Sequence, residues 1–443
     1  MVSQELMINP KQESSQTTVA FYTLGCRLNQ AETAAIQNSF TAEGYRLVED
    51  HQPADIAVIN TCTVTANGDT DTRRLVNRLN RLNPQMRIAL IGCQAQIQKD
   101  QLAELSNVQW VIGNAHKMDL VNIIHRTKGS LAPFVLTPTI PRKSFTIPSP
   151  AIDQRHTRAN LKIQDGCDFF CTFCEIPYAR GRARSREFSD IIAEAEVLVA
   201  AGHQEVVVTG INVGTYAYDG NGICEVVAAL LEVHGLQRIR ISSIEPTTIP
   251  RTLLDLMSSH PKFCRYLHIP LQSADNMILQ QMKRKYSLED FDTFLYEIRQ
   301  RIPGICIGTD IIVGFPGETE ESFHKTYTYL RDAPINYFHV FSYSPRHMAK
   351  SKAMAAPESS AVIQQRSQRL RTLGQRKRRL FYESIIGTRQ SILIENLKDG
   401  YWTGLTDNYV RVKIQSSRQL ANQMVPVKME YLDDLEVHGS LVE

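Results

Sequence analysis

The chain is 443 residues long, enough for two to four domains. Hydrophobic residues make up 43% and charged residues 21%, the composition of an ordinary globular chain, which excludes low-complexity and fibrous classes. The net charge of +3 is too small to argue for nucleic acid by itself, so local charge must decide. The start, Met1 to Thr18, is polar with no apolar core, and no stretch approaches the roughly 18 apolar residues of a membrane helix. The expectation is a cytoplasmic protein with no membrane association, in which grouped cysteines are metal ligands or catalysts rather than disulfides. The chain has nine cysteines.

A flexible tail is expected over residues 1–17. A first domain over 18–115 then holds three strand-like runs, each followed at once by a cysteine. Val19 to Leu24 precedes Gly25-Cys26, Ile56 to Asn60 precedes Thr61-Cys62, and Ile88 to Ile91 precedes Gly92-Cys93. Helix-like segments lie between them, around Glu32 to Glu43 and Thr72 to Leu82. Short apolar strands alternating with helices predict a parallel sheet with crossover helices. Its loops gather beyond the carboxyl ends, where ligands bind. Cys26, Cys62 and Cys93 therefore converge, which suits a three-cysteine iron–sulfur cluster with one open iron. The competing reading is three buried cysteines acting as small apolar residues. Their equivalent positions in successive units favour the cluster.

Residues 116–157 read as a linker. Pro133, Pro138, Pro141, Pro148 and Pro150 suit an extended connector. From 158 to 385 strand–helix alternation resumes. Candidate strands are Ala159 to Gln164, Glu205 to Thr209, Arg238 to Ser242, Tyr266 to Ile269, Cys306 to Val313 and Tyr337 to Ser342. Candidate helices include Ser189 to Ala201, Glu225 to His234, Ile249 to Ser259 and Leu288 to Arg301. This repeat predicts a partial (β/α)6 barrel, with chemistry at the carboxyl ends of its strands.

The loop after the first of these strands carries Cys167, Cys171 and Cys174, spaced C-x3-C-x2-C. Three thiolates hold three corners of a cubane and leave one iron open to a ligand. A zinc ribbon would need a second, distant pair of ligands, and none follows at that spacing. The spacing resembles the radical S-adenosylmethionine (SAM) superfamily, where the open iron chelates SAM.

A helix is expected from Ser359 to Ser384, rich in arginine and including Arg376, Lys377, Arg378 and Arg379. It either packs on the barrel through Leu370, Leu373 and Leu380 or contacts phosphate. Residues 386–443 hold five short strand-like runs, which predict a small closed barrel of the OB kind, a common nucleic-acid binder. The overall class is α/β with a β-barrel appended. Cys224, Cys264 and Cys306 read as buried apolar-type cysteines. His116, His268 and His339 show no paired ligand spacing and read as structural.

From about residue 18 to the end, the chain resembles the radical SAM methylthiotransferases. The likeness rests on Leu24-Gly25-Cys26-Arg27-Leu28-Asn29-Gln30, Gln164-Asp165-Gly166-Cys167, Ile176-Pro177-Tyr178-Ala179-Arg180-Gly181, His268-Ile269-Pro270-Leu271-Gln272-Ser273 and Gly314-Phe315-Pro316-Gly317-Glu318-Thr319. The first motif looks like the branch acting on threonylcarbamoyladenosine beside the tRNA anticodon. Two residues depart from the family pattern: Glu175 stands where relatives usually have an aliphatic residue, and Ala274 where they have glycine. The extra charge of Glu175 is expected to alter the cluster potential.

The resemblance implies two 4Fe–4S clusters, on Cys167/Cys171/Cys174 and on Cys26/Cys62/Cys93. The first would reduce SAM to give methionine and a 5′-deoxyadenosyl radical that takes hydrogen from carbon 2 of the modified adenine. The second would supply methylated sulfur. It further implies a tRNA partner, a one-electron donor such as flavodoxin or ferredoxin, a sulfur donor, and a terminal barrel of the TRAM kind. Asn29 and Gln30 are candidates to bind substrate or cluster, or to cap the next helix. Candidate SAM contacts are Phe173, Thr209, Gly210, Asn212, Ser242, Ser243, Glu245, Gln272 and Asp310, polar or glycine-rich strand-end positions and one aromatic. Arg180, Arg182, Arg184 and Arg186 alternate, so an extended segment would present all four to an RNA backbone, and the competing reading is ion pairing with Glu175, Glu187 and neighbouring acids. The other readings are the same chemistry on isopentenyladenosine in tRNA or on a ribosomal-protein aspartate, and a non-catalytic iron–sulfur redox or RNA-binding protein.

Overall fold

The computed structural model describes residues 16–64, 66–130, 132–153 and 156–442, so most of the expected tail lies outside the described residues. The first sheet has six strands in the order Arg46–Leu47, Thr18–Thr23, Ile56–Thr61, Arg87–Gly92, Val108–Ile112 and Phe134–Leu136, all parallel. Strands buried on both faces need apolar side chains on both, and Ile56–Thr61 is buried at every position. Helices Arg27–Ala42 and Leu120–Thr127 cover one face through Ile36, Phe40, Leu120 and Ile124. Ala66–Leu82 covers the other through Val76 and Leu79.

The linker expected from 116 is corrected here. Its first part supplies a helix and the edge strand of this sheet, so only the run after Leu136 is a connector. The proline-rich remainder is strapped down: Asn38 Nδ2 donates to the Pro150 carbonyl at 2.7 Å, and Phe145 bridges to Arg186.

Six further parallel strands form an open arc in chain order: Arg158–Lys162, Glu205–Thr209, Arg238–Ile241, Tyr266–His268, Cys306–Val313 and Tyr337–Ser342. Single bridges, Ile239 to Phe263 and Ser243 to His268, join its two three-stranded halves. The helices pack outside. Leu288–Arg301 shows why they form where they do: Ser287 and Asp290 make a reciprocal capping box at 3.1 and 2.9 Å, and Phe291, Phe294, Leu295 and Ile298 face inward. Helix Glu320–Asp332 was not expected, because its apolar stripe is thin and its cap, Thr319, lies inside the Gly314–Thr319 motif.

Helix Ser360–Glu383 packs on the arc through Ile363, Leu370, Leu373 and Phe381, while Leu380, expected on that face, is exposed. Residues 389–441 close into a five-stranded barrel, as expected. It docks on the arc: Arg238 Nη1 donates to the Leu405 carbonyl at 2.8 Å, Arg240 Nη1 to that of Asp407 at 2.8 Å, and Arg265 pairs with Asp407 at 2.7 Å. Among the described residues no helix is long and apolar enough to cross a membrane.

On the fifth strand of the arc Gly308 lies under the Tyr337 ring, where a Cβ would come within 2.2 Å of Cζ. That buried ring is held by the Tyr266 hydroxyl at 2.6 Å and cannot yield freely. Gly308→Ala is therefore expected to destabilise the chain by about 1–3 kcal/mol, the usual cost of overpacking, read as a lower urea midpoint; an unchanged midpoint would refute the close packing.

Candidate active site

Cys26, Cys62 and Cys93 follow three adjacent parallel strands and converge at one sheet edge, as expected. Their approach depends on glycine. Gly25 has φ 99°, and a Cβ there would lie 2.7 Å from Cys62 Sγ. Gly92 has φ 95°, and its Cβ would meet Asn60 Oδ1 at 2.5 Å. Both residues are in the left-handed region that favours glycine. Cys26 is exposed, while Cys62 and Cys93 are buried. Burial first, then repulsion from Cys93 and Cys26, pushes the Cys62 thiol up to about 12. A metal ion would reverse that penalty by taking up the thiolate charge. Asn29 neither caps the helix nor faces solvent. Its Nδ2 donates to the carbonyls of Leu24 at 2.7 Å and Thr61 at 3.1 Å, stapling the loops of Cys26 and Cys62. Gln30 is exposed and accepts from Asn160 at 3.4 Å.

Cys167, Cys171 and Cys174 occupy the loop beyond the first strand of the arc, all half-buried. Gly166 (φ 70°) lets the chain pass Arg182, whose carbonyl would stand 2.1 Å from a Cβ. Burial pushes the Cys167 thiol up to about 11. Arg284, which sequence reasoning missed, places Nη1 3.4 Å from Cys171 Sγ and pairs with Glu245. Buried beside the trio, it offers a cation to thiolate charge. All nine cysteines are free, and Cys224, expected to be buried, is only half so, its Sγ 3.1 Å from the Thr252 hydroxyl.

Two cavities lie beside the trios. One is lined by Phe173, Cys174, Gln272 and Arg346 together with Thr63 and Val64. The other is lined by Cys26, Arg27, Thr209, Gly210, Ser242, Ser243, His268, His339 and Tyr409. They meet at Asp310 and Phe341, which line both. The expected SAM contacts are thus divided between two ends of one cleft. Asn212 and Glu245 line neither: Asn212 Oδ1 accepts from Thr248 Oγ1 at 3.0 Å, and Glu245 is engaged by Arg284. The buried Ser242 Oγ has no hydrogen-bond partner among the described residues, as the wall of a site that receives a polar ligand allows.

His268, Asp310 and His339, on three adjacent strands, form a cluster that the histidine spacing did not reveal. Asp310 Oδ1 accepts from His268 Nε2 at 2.9 Å and from His339 Nδ1 at 3.1 Å. Against burial, these two histidines hold the Asp310 carboxyl well below the usual range. With Nε2 donating, His268 Nδ1 is left to accept from the Tyr337 hydroxyl at 3.1 Å. Spacing along the chain is the wrong signal here; the parallel register, His268 beside Gly308 and Asp310 beside His339, is what brings them together.

The four alternating arginines do not share an exposed face. Arg180 ends the helix Ile176–Arg180 and is fully buried against Glu32 and Asp165, both at 3.0 Å. Arg186 is buried with Asp190 and Glu194, and Arg184 pairs with Asp165 at 3.1 Å. Acids in the interior therefore take three of them, and only Arg182, paired with Asp168, is exposed. On the long helix Lys377 donates to the carbonyls of Arg331 and Ala333, Arg378 stacks on Tyr337, Arg379 pairs with Glu383, and Arg376 is exposed.

Glu175 does not stand as a lone charge beside the cluster loop, because it shares one arginine with Asp69. Buried Arg346 donates to it at 2.8 Å, to the Thr63 carbonyl at 3.0 Å and to Asp69 at 2.9 Å. The residue after Cys174 is thereby tied to the residue after Cys62. Ala274 fits without strain; its N–H donates to Thr326 Oγ1 at 3.1 Å.

Two expectations follow. Gly25→Ala drives a methyl group into Cys62 and should push the Cys26 and Cys62 loops apart, costing about 1–3 kcal/mol, the usual cost of overpacking, read as a lower urea midpoint. Arg346→Met strands Glu175 and Asp69 and should cost about 3–5 kcal/mol in denaturant unfolding, as for other broken buried pairs.

Residues 18–113 match an uncharacterized protein family, UPF0004, and residues 161–330 match the radical SAM superfamily. The chain is 36% identical over 405 residues to the threonylcarbamoyladenosine tRNA methylthiotransferase MtaB of Aquifex aeolicus, covering 91% of this chain and 98% of that one. It is 31% identical over 437 residues to the tRNA-2-methylthio-N(6)-dimethylallyladenosine synthase of Dehalococcoides mccartyi, covering 95% and 97%. The radical SAM methyltransferase TsrM of Kitasatospora setae has a similar fold, with a TM-score of 0.55 at 14% identity over 74% of this chain and 73% of that one. With a C-x3-C-x2-C loop at the mouth of a six-strand arc and full-length relatives of one chemistry, the chain belongs to the radical SAM methylthiotransferase family, whose members use SAM and a 4Fe–4S cluster.

Proposed function

We propose that this enzyme methylthiolates carbon 2 of threonylcarbamoyladenosine beside the anticodon of tRNA. The observation that carries the substrate choice is the polar wall of the cleft next to Cys26. Arg27, His339, Asp310 and Tyr409 meet there, with Arg27 Nη2 donating to the Tyr409 hydroxyl at 2.9 Å. Burial opposes ionisation of that phenol, yet Arg27, Arg158 and Arg240 bring it below its ordinary value. A threonylcarbamoyl group presents a carboxylate, a hydroxyl and amides, which pair with such groups. An isopentenyl group has no polar atom, and would cover these groups without adding a hydrogen bond to any of them.

Bound SAM and its cluster supply the radical chemistry, and the chain's residues do the rest. Cys167, Cys171 and Cys174 would hold the first cluster, with Arg284 offsetting thiolate charge. Phe173 and Gln272 line the end of the cleft nearest Cys174 and are candidates to hold SAM. Cys26, Cys62 and Cys93 would hold a second cluster, the site of the sulfur to be transferred. The adenine would lie between, near Asp310 and Phe341. The walls at this point come from the first domain, the arc and the terminal barrel, which exclude water from the reacting atoms. Exposed Arg182 and Arg376 and the terminal barrel are the candidate contacts for RNA phosphates. A one-electron donor of the flavodoxin or ferredoxin kind and a sulfur donor complete the cycle.

Mass spectrometry of tRNA nucleosides from cells with and without the gene tests this. The methylthio form of threonylcarbamoyladenosine should vanish without the gene and return with the wild-type chain but not with Cys171→Ala. His339→Leu should lower its yield about tenfold or more, the effect of losing one charge-assisted hydrogen bond. Loss of methylthio-isopentenyladenosine instead would overturn the substrate assignment, and an unchanged profile would point to a ribosomal-protein target.

A further inference from the structure

The helix Ile176–Arg180 starts two residues after Cys174 and ends inside the first domain. Its last two residues reach both sides of the Cys26/Cys62/Cys93 group. The Ala179 carbonyl accepts from Asn114 Nδ2 at 2.7 Å, and the same nitrogen lies 3.7 Å from Cys93 Sγ. Arg180 Nη2 donates to Asn29 Oδ1, which is 3.9 Å from Cys26 Sγ. Arg180 Nη1 donates to Glu32 and Asp165.

The charges around Arg180 do not balance. Glu32 and Asp165 are the two carboxylates. Lys117, Lys162, Arg180 and Arg184 are the cations that pair with them, with Lys162 2.7 Å from Glu32 and 2.8 Å from Asp165. Every one of these side chains is at most 11% exposed. Four cations against two anions leave an excess of two positive charges when all are ionised, and of one if Lys117 is neutral. Unbalanced charge in an interior is costly unless a further anion shares it. A second observation points to where that anion lies. Arg180 Nε is buried and has no hydrogen-bond partner among the described residues. Asn29, to which this guanidinium donates, stands against Cys26, and Asn114, held by the neighbouring Ala179 carbonyl, stands against Cys93. A cubane held by three thiolates carries net negative charge, and one more when reduced, and its potential rises with nearby positive charge and hydrogen bonds to sulfur.

We infer that Arg180 is a positioning residue for the cluster on Cys26, Cys62 and Cys93: its free N–H and the surplus positive charge around it retain that anionic cluster and raise its reduction potential. The inference rests on the proposal that this second cluster exists. It also gives the family motif around Arg180 a role different from RNA contact, because the side chain that resembles a phosphate ligand in sequence is directed to an inorganic anion inside the protein.

The test is a potentiometric titration, followed by electron paramagnetic resonance, of the full chain reconstituted anaerobically with iron and sulfide. The auxiliary wave is identified as the one that survives in Cys171→Ala. Arg180→Gln should move this wave to lower potential and weaken iron retention against a chelator about 10–100-fold, the usual effect of losing an outer-shell partner. It should leave the other wave in place. Glu32→Gln removes an anion and should move the same wave the opposite way, which a loss of folding or packing would not do. Arg180→Lys keeps the charge and should retain most of the potential. An auxiliary wave unmoved in Arg180→Gln, or moved in the same direction by both neutral variants, overturns the inference. Absence of the auxiliary wave in the wild-type chain overturns the second cluster itself.

Discussion

Parallel strands deliver all their carboxyl-end loops to one edge, and this protein sets two such edges against each other. The six-stranded sheet brings Cys26, Cys62 and Cys93 to its edge, and the six-stranded arc brings Cys167, Cys171 and Cys174 to its own. Neither sheet alone contains a closed site. What turns two edges into one cleft is a set of buried ion pairs across the gap: Arg180 with Glu32, Lys162 with Glu32, and Arg346 with Asp69. Such pairs are expensive to bury and contribute little net stability compared with apolar packing. Their directional hydrogen bonds instead fix one relative placement of the edges, which an apolar interface would hold less strictly. A reaction between groups on both edges needs that, because misplacement of about 1 Å can cost on the order of a hundredfold in rate.

The cysteines were legible because their signal is local. A strand followed by Gly-Cys or Thr-Cys, three times over, needs only the period of a parallel sheet to be read, and C-x3-C-x2-C needs only spacing. The arc and the terminal barrel followed from the same patterns, with strands such as Cys306–Val313 bounded as expected. Strand Phe134–Leu136 was hidden by the prolines on either side and by its length of three residues. Its place is set by pairing with Val108–Ile112, which the local sequence does not encode.

The charged residues were the least legible. Alternating arginines after a cysteine loop have the pattern of a phosphate-binding strand, yet their partners Glu32, Asp165, Asp190 and Glu194 come from other elements and take them inside. The same reason hid His268, Asp310 and His339, and Arg284. Each belongs to a contact between strands or loops far apart in the chain, so no window of sequence contains both halves.

Tyr409 has a further consequence. It sits in the terminal barrel with φ 67°, a strained value for a tyrosine, and packs 4.4 Å from the Tyr266 ring while bonding to Arg27. A tether for RNA would need only a surface, yet this barrel pushes one strained aromatic into the wall of the cleft. Removing it would open the cleft to water. Evolution therefore cannot exchange this barrel for another module as it might a tag on a linker, because a replacement would have to rebuild that wall.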